Sequence, residues 1–202
     1  MASAKIAGRD KQAKPTDRNP VGIRNRCVYL PQSVRSCCPE GHPRGTFGVR
    51  SNQTNCAMKL SFFGHSCFSV TLPPLCGGAR LLFDPFLTSN PKAKEAGLDR
   101  SIPGADFVLI SHGHFDHIED AVPVLRKTKA VAIAVYEVCD WLAKHGVPET
   151  QLHRMNIGGT ARFAFGSVQL VHAVHSSTLP DGTPGGNPAG FVVRTQAGAF
   201  YY

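Results

Sequence analysis

The sequence predicts an α/β (α+β) fold, with sheets covered by helices on their outer faces. Three observations lead there. Continuous apolar runs of strand length alternate with helical segments in the middle of the chain, and strands dominate the final third. Of the 202 residues, 42% are hydrophobic, enough for a real core.

The first 57 residues stand apart. They hold ten Lys/Arg against three Asp/Glu, a net of +7, whereas residues 58–202 hold twelve against eleven, a net of +1. The basic character therefore belongs to the N-terminal segment. Nucleic-acid binding is not expected, apart from weak attraction of that segment to anionic polymers. The segment has neither period-2 nor period-3.6 patterning and is rich in Arg, Pro, Asn, Gly and Ser, so it is read as a disordered basic extension. Cys27, Cys37, Cys38, His42 and Cys56 invite a zinc-knuckle reading, but no Cys-x-x-Cys pair is present and the segment is taken as a tail. Residues 1–30 lack the apolar stretch of a secretory signal, and Asp10 and Asp17 count against a transit peptide. No apolar run of about 18 residues could span a bilayer. Seven cysteines, an odd number, fit free thiols in a reducing cytosol, so a cytoplasmic location is expected.

Order is expected from Met58. "MKLSFF" and "CFSVTL" read as strands separated by the turn Gly64-His65-Ser66, and "RLLFD" as a strand ended by Asp84-Pro85. "NPKAKEAGL" is a short helix, and "ADFVLIS" is a strand buried on both faces. "HIEDAVPVLRKT" reads as one helical segment carrying Pro123. "AVAIAV" is a buried strand, and "YEVCDWLAKHG" is a helix with Gly146 past its end. "TARFAF", "SVQLVHAV" and "GFVVRT" are strands, with the Gly/Pro-rich loop "LPDGTPGGNPAG" before the last.

The stretch "SHGHFDH" places three of the nine histidines and an aspartate in seven residues, directly after a buried strand. In extended backbone residues i and i+2 point the same way, so His112 and His114 can converge on one ion. Gly113 lets the backbone turn between them. Asp116 and His117 lie at the start of the following helix, where a second ion could sit. Two pairs of ligands at neighbouring points suit a two-metal site with ions about 3.5–4 Å apart. Imidazole with carboxylate makes zinc the first expectation, with manganese as the alternative.

"SHGHFDH" resembles the His-x-His-x-Asp-His signature of the metallo-β-lactamase-fold hydrolases. "MKLSFFGHSCFSV", "LLFDPFL", "ADFVLISHGHFDHIED" and "HAVHSSTLPDGTPGGNPAGFVV" look like successive blocks of the UPF0173-type metal-dependent hydrolases, relatives of the L-ascorbate-6-phosphate lactonase group. The resemblance runs from Met58 to Tyr202. It implies an αββα sandwich, of which residues 58–202 would be the N-terminal portion, with Met58 as the natural start and residues 1–57 an upstream extension. It implies that His112, His114 and His175 hold one metal, and that Asp116 and His117 form part of the shell of a second. Complete members continue into a Gly-Asp-Thr turn whose aspartate bridges both metals, and later supply a last histidine. This sequence stops before that turn, so the expected chain is C-terminally incomplete and its second ion weakly held.

Other residues carry two readings. Asp84 resembles the family carboxylate that orients a ligand histidine, or it is an Asp-Pro turn starter. His65 matches a family histidine near the site, a candidate catalytic residue for substrate contact or proton transfer, or it simply occupies a tight hairpin turn. Cys67 lacks an orienting partner and is assigned to packing. His175 ends an apolar strand, whereas His172, three residues earlier, points to the opposite face. Ser176 and Ser177 form the loop, with a hydrogen bond to a ligand residue open to them. "GTPGGNPAG" lacks the lysine and helix of a phosphate-binding loop and is expected to form a flexible rim.

The chemistry so implied is hydrolysis of an ester, lactone, amide or phosphoester bond in a small molecule by a metal-bound hydroxide, with Asp116 orienting the water or taking its proton. The alternatives are an inactive metal-binding fragment and an RNA-processing nuclease of the same superfamily. A homo-oligomer is left open, and no membrane partner is expected.

Overall fold

In a computed structural model of the protein, residues 57–99 and 101–202 are described. The basic extension and its cysteines up to Cys56 lie outside the described residues. The chain enters through a hairpin. β1 (Lys59–Gly64) and β2 (Cys67–Thr71) pair antiparallel from Lys59↔Thr71 to Gly64↔Cys67, so the turn at His65 and Ser66 is as short as a hairpin allows. β3 (Arg80–Phe83) pairs antiparallel with β2; β4 (Phe107–Leu109), β5 (Val131–Val135) and β6 (Leu152–Met155) then add in parallel. The six strands lie in chain order. A second sheet of β7 (Thr160–Phe163), β8 (Gly166–His172), β9 (Ala189–Thr195) and β10 (Gly198–Tyr201) is wholly antiparallel, in the order β10-β9-β8-β7.

Leu81 and Leu82 are consecutive on β3, so they point to opposite faces, and both are fully buried. Two layers must therefore cover the first sheet. One is the second sheet: Phe83 stacks on Tyr202 at 4.6 Å between centroids and meets Phe191 and Phe200 edge-on, while Phe107 meets Phe163 and Phe165. The other is helical, with Val124 and Leu125 of α3 (Ala121–Thr128) and Val138 and Leu142 of α4 (Tyr136–Lys144) fully buried in the same core. Each such side chain contributes about 1.5–3 kcal/mol of burial. The predicted two-sheet α/β fold is the one found, described here as helices, six-stranded sheet and four-stranded sheet.

Two elements differ from expectation. "HIEDAVPVLRKT" is not one helix: a short α2 (Phe115–Ile118) stops at Glu119-Asp120 and α3 begins anew. The reason is competition for Asp120. Its carboxylate accepts Leu87 N at 2.6 Å, Thr88 N at 2.9 Å and Thr88 Oγ1 at 2.6 Å, while its own N–H donates to Pro85 O. Glu119 likewise takes Ser89 N and Oγ. Pro123 falls in the first turn of α3, where no helical N–H partner is needed. β6, "LHRM", was not foreseen, because a four-residue edge strand carrying His153 and Arg154 shows no apolar run. The expected short helix is α1 (Pro91–Glu95), capped by Asn90, whose Oδ1 accepts Lys92 N and Ala93 N. Among the described residues no helix is long and apolar enough to cross a membrane.

Candidate metal centre

The ends of several strands converge at one rim of the two sheets. His65 occupies the β1–β2 turn, Asp84 follows β3, His112 and His114 follow β4, and His175 follows β8. The ligand atoms of His112, His114 and His175 lie within 4.8 Å of one another, and so do those of His65, Asp116 and His117. The two groups are adjacent: the His112 and His117 ring centroids are 4.1 Å apart.

Asp84 organises both groups from below. It is buried, with a φ of +41°, an uncommon conformation for a residue with a side chain. Ser111 N donates to its Oδ1 at 2.7 Å; Ser111 Oγ (2.6 Å), Tyr202 Oη (2.8 Å) and His117 Nδ1 (2.6 Å) converge on its Oδ2. With both oxygens so engaged, Asp84 serves as an orienting acceptor, although its own carboxylate also lies within ligand range of His112 and His117.

The network fixes the ring tautomers. Ser111 Oγ donates its proton to Asp84, so His112 Nδ1–H donates to Ser111 Oγ at 2.8 Å and leaves Nε2 free. That Nε2 lies 3.0 Å from His114 Nδ1. His117 gives its Nδ1 proton to Asp84, which leaves its Nε2 facing Asp116 Oδ1 at 4.0 Å. Burial, with the neighbouring His117, His114 and His175, pushes the His112 pKa down to about 4 despite Asp84. Its imidazole is therefore neutral at ordinary pH, the form a metal ligand requires. Burial opposes charge on His117 as well, but its hydrogen bond to Asp84 and the charges of Asp84 and Asp116 outweigh burial and raise its pKa.

Gly113 is required by space rather than by an unusual φ. A Cβ there would lie 2.9 Å from Leu179 Cδ2 and 3.0 Å from its Cγ, and Gly113 N donates to Ser177 Oγ at 3.0 Å. Ser177 thus ties the loop after β8 to the histidine segment, and Ser176 Oγ lies 3.4 Å from His114 Nε2. The loop expected to be a flexible rim is internally bonded. Leu179 N donates to Thr183 O, Gly182 N to Leu179 O and Gly185 N to Ser177 O, and Leu179 is buried.

His65 stands in the left-handed region, at φ +53°. Its Nε2 lies 3.1 Å from Asp116 Oδ2, and its ring meets His117 edge-on at 5.0 Å and Phe86 at 5.5 Å. His172 lies at the exposed end of β8 and belongs to neither group. Cys67 is fully buried, and burial above all, with the charges of Asp84 and Asp120, pushes its thiol up to about 12, in keeping with a packing role.

Two participants escaped the sequence reading. Ser111 looked like the end of a strand, and Tyr202 carried no local motif. Tyr202 Oη also lies 2.5 Å from Ser66 O, so its one proton is shared between that carbonyl and Asp84, a contact between residues 136 positions apart that no local pattern reveals.

Residues 79–202 match the Beta-lactamase superfamily domain. The chain is 44% identical over 145 residues to a UPF0173 metal-dependent hydrolase of Methylacidiphilum infernorum, covering 72% of this chain and 61% of that protein. It is 41% identical over 137 residues to one from Flavobacterium johnsoniae, covering 68% and 57%. A solved metallo hydrolase from the hyperthermophilic archaeon Ignicoccus hospitalis aligns with a TM-score of 0.55 at 31% identity, over 71% of this chain and 59% of that one. The chain spans about three-fifths of the length of the curated relatives it matches.

Proposed function

The chain belongs to the beta-lactamase superfamily, and from that premise we propose that it carries the metal-binding part of a hydrolase acting on an ester, lactone, amide or phosphoester bond. The observation that carries the reading is the pair of adjacent three-ligand groups served by one buried carboxylate, Asp84. An all-nitrogen set of three histidines beside a mixed imidazole–carboxylate set suits zinc, and manganese second.

In this reading His112, His114 and His175 hold one ion, while Asp116 and His117 hold a neighbouring one. Bound there, the metal supplies Lewis acidity toward a substrate oxygen and lowers the pKa of water toward about 7. The chain's own residues do the positioning. Asp84 keeps the Nδ1 proton on His117, and Ser111 relays the same carboxylate to His112, so that both rings present Nε2. Asp116, half exposed at the mouth of the site, is placed to orient a water or accept its proton. No serine or cysteine nucleophile is needed.

The test is metal analysis of the purified chain with hydrolysis assays on general ester, lactone and phosphodiester substrates. Bound zinc or manganese, with turnover abolished by His114→Ala, is the expected result. Metal-independent turnover, or a chain that takes up no divalent ion, overturns the reading.

A further inference from the structure

We propose that His65 is itself a metal ligand, completing a second ion position with Asp116 and His117; this deepens the hydrolase reading and rests on it. Sequence reasoning placed His65 near the site only as a group for substrate contact or proton transfer. The geometry points to coordination. A tetrahedral ion with bonds of about 2.0–2.1 Å sets its ligand atoms roughly 3.3–3.5 Å apart. One ligand atom from each of His65, Asp116 and His117 lies within 4.8 Å of the others, and the two imidazoles approach the Asp116 carboxylate from either side, His65 Nε2 at 3.1 Å from Oδ2 and His117 Nε2 at 4.0 Å from Oδ1.

His65 adopts φ +53° at the first position of the two-residue β1–β2 turn, where primed hairpin turns call for a positive φ, so the turn itself aims the imidazole. The turn is also held from outside. Asn90 Nδ2 donates to Phe63 O at 3.4 Å and to Phe86 O at 2.9 Å, and the Phe86 ring packs edge-on to the imidazole. These contacts fix the His65 ring beside His117. His117 donates its Nδ1–H to Asp84, so its Nε2 faces the same space as His65 Nε2. The second position thus draws three ligands from the β1–β2 turn and α2, with none from the loop after β8.

The experiment is zinc titration of the chain by calorimetry, with ion content measured after dialysis, and cobalt substitution to read coordination from the visible spectrum. His65→Gly is the informative variant, because glycine accepts the positive φ and isolates loss of the imidazole from backbone strain. We expect two ions on the native chain and, in His65→Gly, the weaker step lowered at least tenfold with the tighter step unchanged. Added free imidazole should restore part of the weaker step and the native cobalt spectrum. Two ions with unaltered affinity and spectrum in His65→Gly overturn the proposal, even if turnover falls. A single ion on the native chain, lost in His114→Ala but kept in His65→Gly, also overturns it while leaving the hydrolase reading intact. A native chain that binds no ion removes both.

Discussion

The Tyr202 hydroxyl reaches across the two sheets to donate to Asp84 Oδ2 at 2.8 Å, on the oxygen that also receives His117 Nδ1. Burial and the charge of Asp84 push the phenol pKa far above its usual range, so Tyr202 stays a donor at every workable pH. The residue that follows β10 thereby helps hold His117 at the rim of the first sheet.

Tyr202→Phe keeps the ring stacked on Phe83 and removes only the bonds to Asp84 and Ser66 O. The expected loss is about 1.5–3 kcal/mol, for one O–H shared between a carboxylate and a carbonyl. It should appear as a lower midpoint in urea with an unchanged slope. A midpoint equal to that of the native chain would show that water replaces the phenol without loss.

Asp84→Asn preserves shape and tolerates positive φ, but it removes the charge that fixes the His117 and Ser111 protons. Metal affinity should fall about 10–100-fold. Competition against a chromogenic chelator measures it. The same variant should be destabilised even without metal, since Ser111, His117 and Tyr202 all donate to this carboxylate.

Much of this was legible in the sequence, for identifiable reasons. His112, His114, Asp116 and His117 fall within six residues after an apolar run, so strand and ligand spacing coincide in one local pattern. Asp84 and His175 needed the family resemblance, because each is a single polar residue at the end of a strand. Ser111 and Tyr202 were not legible at all: a serine after a strand and an aromatic residue in "GAFYY" have ordinary local readings. Their roles exist only once the sheets are stacked. The break between α2 and α3 was hidden likewise, since the partners of Asp120 lie 32 and 33 residues away.

Gly64 precedes His65 with φ +105°, and a Cβ there would overlap Lys92 Cβ and stand 2.8 Å from Asn90 Oδ1. Gly64→Ala should therefore cost about 1–3 kcal/mol or more, from crowding together with an unfavourable φ. Chemical denaturation reads the cost. Loss of less than half a kcal/mol would mean the α1 side of the hairpin yields more easily than its packing implies.

Cys67 and Cys139 are fully buried, and burial first of all pushes both thiols up to about 12. Neither should react with iodoacetamide at pH 8 in the folded chain, and both should react in denaturant. Peptide mapping by mass spectrometry separates them from the other cysteines. Rapid labelling of Cys67 under native conditions would contradict the burial described.

Removal of metal should also lower stability. An ion held by His112, His114 and His175 ties the segment after β4 to the segment after β8, and at a free concentration of 100 Kd it adds about 2.7 kcal/mol. A chelator should thus reduce the melting temperature of the native chain and leave that of His114→Ala nearly unchanged.

The bond between Tyr202 and Asp84 closes a loop of 118 residues, and the one to Ser66 closes 136. Contacts of that span carry the largest closure entropies, so they are expected to form after local pairing. Until Tyr202 docks behind β10, Asp84 lacks one of its donors and His117 is held less firmly. Metal competence is in this sense a kinetic milestone: a stopped-flow metal indicator should lag behind the recovery of secondary structure during refolding.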